Sequence, residues 1–184
     1  STGEVMGIDT NFGAAFAKGQ IAAGQNILQS RTVFLSVNDW EKDHRLINIA
    51  KTFDELNFLI YTTEGTYKFL KDNGIKSTLV RKAKEGEPNI LNLLAERKVS
   101  LLINIPRGKE ALEDNMSMRR LAILLDMSLI TTLAGAEATA EAMKSLHAGA
   151  SKNSETGLNI KTLQEYHAEY QTSLKQLDGD LIKG

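Results

Sequence analysis

Two threonine hydroxyls and a glycine come together in the segment Thr63-Glu64-Gly65-Thr66. The apolar run from Phe58 to Ile60 predicts a strand before this segment, and Tyr67, Phe69 and Leu70 indicate a helix after it. The first N–H groups of a helix are unpaired and its dipole is positive at that end, so such a corner suits a phosphate. Threonine and glycine also cap helices for structural reasons alone, so this segment leaves both interpretations open.

Polar side chains also mark the ends of the other predicted strands. Ser36 lies near the end of the first strand, and Lys42 follows six residues later. Lys82 follows the third strand, after Arg81, and Asn104 lies near the end of the fourth. The carboxyl ends of parallel strands meet at one edge of a sheet, where ammonium groups, hydroxyls, an amide and a helix N-terminus would form an anion pocket. The candidate binding residues are Ser36, Lys42, Thr63, Thr66, Lys82 and Asn104. The alternative is that the two lysines are solvated surface charges.

Catalytic chemistry has less support in the sequence. There is no Ser-His-Asp arrangement in readable order and no Walker loop. His44, His147 and His167 are scattered without zinc spacing, so we expect surface or structurally satisfied histidines. Glu85 and Glu87 flank a glycine and could act as a base, although solvated loop carboxylates are commoner. We therefore predict no catalytic residue and no metal ligand.

Composition excludes several classes of protein. The net charge of −1 provides no basic field for nucleic acid. The absence of cysteine excludes disulfides, Cys-ligated metals and a thiol nucleophile. No apolar run approaches the roughly 18 residues of a membrane span and no signal peptide is visible, which predicts a cytoplasmic protein without membrane contact. The chain starts with Ser1 rather than Met, so we expect a piece of a longer protein.

Strand and helix patterns alternate from about residue 31 to 148. They predict strands over 32–37, 58–61, 77–80, 100–105 and 129–131, and helices over 39–56, 66–72, 89–97, 117–125 and 134–146. This alternation predicts an α/β fold, a Rossmann-like three-layer sandwich with a mostly parallel central sheet flanked by helices. Trp40 is placed on the apolar face of the second predicted helix of the chain, over 39–56.

The rest of the chain divides into short segments. Residues 1–28 differ in composition and contain a small-residue helix over 11–25, whose apolar side we expect to need a neighbouring domain. The main domain covers 29–148, a linker covers 149–159, and a C-terminal docking helix and tail cover 160–184.

Several motifs in this order resemble the carboxyl-terminal region of the carbamoyl-phosphate synthetase large subunit. The segment from Ser1 to Ile8 looks like the last motif of that subunit's second ATP-grasp unit, and residues 29–148 resemble its methylglyoxal-synthase-like allosteric domain. The motifs that carry the likeness are Val33–Val37, Thr63–Thr66, Lys82–Ile90, Leu102–Pro106, Arg119-Arg120, Thr131–Gly135 and Leu163–His167.

The resemblance implies a regulatory domain that binds a phosphorylated nucleotide effector such as UMP or IMP. The family's monophosphate pocket falls on the same six candidate residues. The parent protein would be an ATP-dependent ligase that makes carbamoyl phosphate from glutamine for pyrimidine and arginine biosynthesis, with ATP and Mg or Mn as its cofactors and none in this fragment. Its partners would be the rest of the large subunit and the glutaminase small subunit, and a homo-oligomer stays open.

Departures from the family pattern restrict these expectations. Pro106 stands where some members have a threonine, and it offers neither a hydroxyl nor an N–H. Ile130 stands where some members have an acidic residue of the ornithine site, which argues against an ornithine response. Methylglyoxal synthase uses a carboxylate base and a histidine, but residues 105–118 contain no histidine. The lysine-rich third loop of the related IMP cyclohydrolase domain is not seen. The alternatives are an effector-insensitive oligomerisation module and, less favoured, a methylglyoxal-synthase-type lyase.

Overall fold

A five-stranded, all-parallel sheet forms the centre of the molecule. The computed structural model describes residues 4–25, 27, 31–82, 84–108, 110–150 and 158–181. The strands are β1 (Thr32–Val37), β2 (Leu59–Thr62), β3 (Thr78–Leu79), β4 (Leu101–Ile105) and β5 (Ser128–Ile130). The helices are α1 (Phe12–Ala22), α2 (His44–Glu55), α3 (Glu64–Asp72), α4 (Ile90–Ala95), α5 (Glu110–Leu124), α6 (Leu133–Ala150) and α7 (Leu163–Leu181).

The order of the strands places a crevice beside β1. They run β3-β2-β1-β4-β5, and every neighbouring pair is parallel. The chain adds β2 and β3 on one side of β1, then crosses to the other side for β4 and β5. The connections that leave β1 and β4 therefore diverge, and the gap between them at the carboxyl ends is where open α/β sheets bind ligands.

Apolar side chains cover both faces of the sheet. On one face Leu35 and Ile103 pack with Leu46 and Phe53 of α2 and with residues of α6. On the other face Phe34 is joined by residues of β4, α4 and α5. All five residues of β4 are buried, as the continuous apolar run predicts. Each large apolar side chain that is fully buried contributes about 1.5–3 kcal/mol, so the two cores fix the strand ends in place. The predicted three-layer α/β fold is confirmed.

The predicted helix over 39–56 divides into two elements. Asp39–Glu41 forms one turn of 3-10 helix, and α2 begins only at His44. The side chain of Asn38 accepts a hydrogen bond from the Trp40 N–H, and that of Asp43 accepts one from the Arg45 N–H. Two such caps in close succession start two separate elements. The prediction that Trp40 lies on an apolar face is therefore wrong, because its side chain is 80% exposed.

The N-terminal helix packs against a helix of the predicted 29–148 domain. α1 contacts α6, and Ala17 is fully buried in the contact. Gly13 lets the two backbones approach, since a Cβ there would lie 2.4 Å from the Glu141 carbonyl oxygen. The small residues of α1 are explained by this close contact.

Lys18 of α1 connects distant parts of the chain. Its ammonium contacts the carbonyl oxygens of Ile8 (3.0 Å) and Asn159 (2.5 Å), the carboxylate of Asp9 (2.7 Å) and the hydroxyl of Tyr166 in α7 (2.6 Å). Burial would raise the pKa of Asp9, but the hydrogen bond from Lys18, together with nearby backbone N–H groups, more than offsets this and holds that pKa below its ordinary value. The segment before α1 and the C-terminal helix are thus both tied to α1.

Several boundaries differ from the predicted ones. α3 begins at Glu64, two residues earlier than predicted, and α5 begins at Glu110 rather than at residue 117. Asn89 rather than Pro88 opens α4, because its side chain accepts from the N–H groups of Leu91 and Asn92. The predicted linker overlaps the end of α6. Predictions that fall on residues 1–3, 26, 28–30, 83, 109, 151–157 and 182–184 lie outside the described residues.

The described ranges contain neither a membrane-spanning helix nor a cluster of metal-ligating side chains. No helix there has the length and apolarity to cross a bilayer. Nor do three or more potential metal-ligating side chains gather anywhere in the same ranges.

Candidate functional site

A cavity of about 730 Å³ opens at the carboxyl ends of β1, β2 and β4. All six candidate residues line it, and further lining comes from Phe34, Asn38, Asp39, Trp40, Gly65, Pro106, Arg107 and Met118 among others. The cavity occupies the crevice beside β1 that the strand order creates. The structure therefore brings together the side chains that the sequence predicts to meet, while their role in binding stays a prediction.

The hydroxyls link the ends of neighbouring strands. Ser36 Oγ and Thr63 Oγ1 lie 2.9 Å apart. Thr66 Oγ1 accepts the Val37 N–H at 3.1 Å and lies 3.4 Å from the Val37 carbonyl oxygen. The 1% exposure of Thr66 shows that its hydroxyl is already committed to holding the first turn of α3 against β1. Ser36 is the more accessible hydroxyl of the three, since it is only half-buried.

The side chain of Thr63 indicates whether the start of α3 is only a structural cap or also a candidate binding site. It is the N-cap residue of α3, yet in the described part of the chain its side chain makes no capping hydrogen bond and instead contacts Ser36. The first-turn N–H groups of α3 thus lack the side-chain acceptor that a capping threonine would supply. They border the cavity at Gly65 and Thr66, where an anion would satisfy them.

Lys42 lies over this same helix start. A Cβ on Gly65 would be only 2.7 Å from Lys42 Nζ, so glycine is needed for the ammonium to lie where it does. The Lys42 side chain is 10% exposed and bonds the carboxylate of Asp39, which is itself 89% exposed. The hydrogen bond from Lys42, with a smaller contribution from Lys82, lowers the pKa of Asp39. A cation beside a helix N-terminus is unfavourable without a negative partner, and Asp39 supplies only part of one.

Lys82 approaches the cavity from the loop after β3. Its backbone N–H donates to Glu85 Oε2 at 2.8 Å, and Arg81 Nη1 donates to the Glu87 carbonyl oxygen at 2.8 Å. These bonds hold the loop against the start of α4. The pKa of Glu64 is lowered, first by the hydrogen bond from Lys68 and more weakly by the charge of Lys82.

Asn104 has a partner that the sequence analysis missed. Its Nδ2 donates to Asn115 Oδ1 at 3.1 Å, and both side chains are buried. Asn115 fixes the orientation of the Asn104 amide inside the cavity. A signal existed: Asn115, Met118 and Ala122 have the spacing of one helix face, and the last two belong to the core. The predicted helix simply began too late to include Asn115.

Three further lining residues at the rim are not among the six predicted ones. The Arg107 guanidinium lies 4.9 Å from the centre of the Trp40 ring, a cation–π contact between the loops that follow β1 and β4. Asn38 joins the same loops, because its Nδ2 donates to the Ile105 carbonyl oxygen at 3.2 Å. The sequence analysis placed Trp40 on a helix face and gave Arg107 and Asn38 no role, since nothing in local spacing shows that two loops approach each other.

The residues considered for catalysis are elsewhere. His44 is the first residue of α2, His147 lies in α6 and His167 in α7. Of the residues that the structure describes, neither Glu85 nor Glu87 lines the cavity. The side chains that do line it include two lysines, three hydroxyls and an amide, which are groups suited to an anion.

Comparison with known proteins gives the family. The family model described as an MGS-like domain matches residues 45–131. That stretch contains Thr63, Thr66, Lys82 and Asn104, whereas Ser36 and Lys42 precede it. Residues 45–131 of this chain thus carry the match to the MGS-like domain family.

The curated relatives show in which kind of protein sequences similar to this chain occur. The carbamoyl phosphate synthase large chain of Archaeoglobus fulgidus is 43% identical over 169 residues, which are 92% of this chain and 15% of that protein. The protein of Aquifex aeolicus named carbamoyl phosphate synthase large chain, C-terminal section, is 39% identical over 167 residues, 91% of this chain and 30% of that protein. The solved structure of ForH aligns with a TM-score of 0.43 at 19% identity, over 71% of this chain and 83% of that one. The chain thus spans about a seventh of the full-length large chains that it matches and is homologous to one section of them.

Proposed function

We propose that this domain binds a phosphorylated nucleotide such as UMP or IMP and serves as the regulatory section of a carbamoyl phosphate synthase large chain. The observation that carries the proposal is the group of positive features at the α3 turn. The Lys42 ammonium lies against the first turn of α3, no side-chain cap of that turn is found among the described residues, and Lys82 lines the same cavity. Such an arrangement is stabilised by a bound dianion.

The size of the cavity favours more than a bare phosphate. Its volume of about 730 Å³ falls within the range of roughly 300–1,000 Å³ that is typical of small-molecule sites. The hydroxyls and lysines would hold the phosphate at the α3 turn, leaving the space towards β4 for the rest of the ligand. Pro106 lines that space, and its ring can pack against a sugar or base without competing for hydrogen bonds.

Regulation requires that the ligand favours one conformation of the whole enzyme. A typical coupling free energy is about 1–3 kcal/mol, a change of roughly 5- to 150-fold in affinity between the two conformations. In this proposal the first turn of α3 responds to the ligand. A phosphate there would draw Lys42 and Lys82 to one point and would replace Asp39 as the partner of Lys42.

Calorimetric titration of the 184-residue chain with UMP, IMP and phosphoribosyl pyrophosphate tests the proposal. We expect at least one of these ligands to bind, and Lys82→Ala to weaken it by about tenfold or more, since a charge-assisted hydrogen bond contributes about 1.5–3 kcal/mol. Lys51→Ala is the matched control, because Lys51 is an exposed lysine on α2 outside the cavity lining. The proposal fails if no phosphorylated ligand binds, or if Lys82→Ala and Lys51→Ala behave alike.

The same variants separate the alternatives. In a full-length large chain, Lys82→Ala should abolish the effect of the nucleotide on carbamoyl phosphate synthesis and leave the basal rate unchanged. A dimer in size-exclusion chromatography that ignores every nucleotide would favour an oligomerisation module instead. Product formed from dihydroxyacetone phosphate above the uncatalysed rate would favour the lyase.

A further inference from the structure

Trp40 is the exposed aromatic side chain at the rim of the cavity. It stands on the 3-10 turn after β1, two residues before Lys42, and its side chain is 80% exposed although it lines the cavity. Phe34 also lines the cavity but is fully buried in the sheet. An exposed tryptophan at the rim of a cavity is unusual, because tryptophan is highly buried on average.

The backbone and the ring of Trp40 are positioned by different contacts. Asn38 caps the 3-10 turn by accepting the backbone N–H of Trp40 at 3.1 Å, and the same side chain bonds the end of β4. Arg107 lies over the ring, with its guanidinium 4.9 Å from the centroid. A cation over one face leaves the opposite face available to a flat ligand, and the residue is 80% exposed.

We infer that Trp40 is the platform on which the base of a nucleoside monophosphate stacks while its phosphate occupies the α3 turn. The inference rests on the proposed function, since it assumes that the turn takes the phosphate. It adds the residue that recognises the base: the planar ring of the nucleotide lies on Trp40, at the end of the ligand opposite to its phosphate. A sugar phosphate without a base would occupy the phosphate end and leave the indole uncovered.

The alternative role of this rim is that Arg107 binds a second phosphate of the ligand. The geometry favours the ring, because the guanidinium lies 4.9 Å from the centre of the indole and supports it as a flat surface. Phosphoribosyl pyrophosphate in the test below distinguishes the two, since it brings extra phosphate but no base.

The experiment compares ligands with and without a base on three proteins. The wild-type chain, Trp40→Ala and Trp40→Phe are titrated calorimetrically with UMP, IMP, ribose 5-phosphate and phosphoribosyl pyrophosphate. Trp40→Ala should weaken UMP and IMP about tenfold, as stacking of a base on an aromatic ring predicts, and change ribose 5-phosphate and phosphoribosyl pyrophosphate by less than about twofold. Trp40→Phe keeps an aromatic platform and should retain most of the nucleotide affinity. Because the chain has one tryptophan, nucleotides should also quench its fluorescence, whereas ribose 5-phosphate should not.

The outcomes that overturn the inference differ from those that overturn the proposed function. If ribose 5-phosphate binds as tightly as UMP and IMP, or if Trp40→Ala weakens all four ligands equally, the platform is refuted while the phosphate site stands. If phosphoribosyl pyrophosphate alone responds to Trp40→Ala, the rim serves a second phosphate. If the wild-type chain binds none of the four, the proposed function fails and the platform fails with it.

Discussion

Replacing Gly65 by alanine should weaken anion binding without weakening the fold. Gly65 is the second residue of α3, and a Cβ at this position would lie 2.7 Å from Lys42 Nζ and 3.7 Å from Asp39 Oδ1. The closer of these contacts is too short to persist. The neighbouring atom is the end of a flexible side chain, so the ammonium moves while the backbone stays.

Gly65→Ala should affect the stability of the fold and the affinity for an anion in opposite directions. Alanine is a better helix former than glycine by up to about 1 kcal/mol in a helix interior, and it also restricts the unfolded chain. We therefore expect the free energy of unfolding to stay level or to rise by about 0.5 kcal/mol. A charge-assisted hydrogen bond contributes about 1.5–3 kcal/mol, so moving Nζ from its place and losing about half of that bond costs about 1 kcal/mol. The dissociation constant for a phosphorylated ligand should rise about five- to tenfold.

Calorimetric titration and thermal unfolding of the same samples measure both effects. Gly19→Ala in α1 is the control, because the nearest atom to its added Cβ is the Gly7 backbone nitrogen at 3.9 Å, far from the cavity. In a Lys42→Ala background, Gly65→Ala should cause no further loss of affinity. The reasoning is refuted if Gly65→Ala binds as tightly as the wild-type chain, or if its loss persists once Lys42 is absent.

Three other variants probe the contacts around the cavity and the ties between distant segments. Asp39→Asn should tighten phosphate binding about threefold in low-salt titrations, because it removes the anion that competes for Lys42, and a loss of affinity would contradict this. Asn115→Ala should weaken nucleotide binding several-fold by freeing the Asn104 amide, whereas an unchanged affinity would show that the amide is not used. Lys18→Met should lower the free energy of unfolding by about 2–3 kcal/mol, since it leaves the largely covered carboxylate of Asp9 without its cation. Denaturant titration measures this loss. Folding lowers the pKa of Asp9, so the stabilisation by this carboxylate is present above its unfolded pKa of about 3.9. This stabilisation should be lost as the pH falls through the folded pKa, and Lys18→Met should lose less stability in acid than the wild-type chain.

The parts of the fold that the sequence predicts well are those specified by local pattern. β1 has the predicted bounds, and β4 starts one residue later than predicted, because continuous apolar runs in an alternating chain have few other structures available. The convergence of the polar strand ends followed from the parallel arrangement alone. It required no knowledge of any side-chain contact, which is why all six residues could be placed at one edge.

The errors arise where the structure depends on contacts distant in sequence. The 39–56 pattern is compatible with one helix, and only the capping bonds of Asn38 and Asp43 divide it and expose Trp40. Asn115 was not predicted as a partner of Asn104, because the apolar periodicity of α5 is weak at its start and the predicted helix began after this residue. The small residues of α1 predicted contact with a neighbouring domain, but the close approach to α6 through Gly13 depends on a partner about 130 residues away and has no signal in local spacing. In each case a tertiary contact outweighs the local signal.

The structure also changes what the six residues mean. Sequence treats their polar groups as equivalent, but Thr66 is bonded to the end of β1, Asn104 to Asn115 and Lys42 to Asp39. The first two bonds hold backbone and amide in place and need not break when a ligand enters. The Lys42–Asp39 pair differs, because Asp39 is exposed and its pKa is lowered by the very cation that a phosphate would use. Binding then exchanges one anion for another, so the net affinity is the difference between the two interactions. A site of this kind suits a ligand that must leave again when its concentration falls, and Asp39 is the residue through which that balance can be changed.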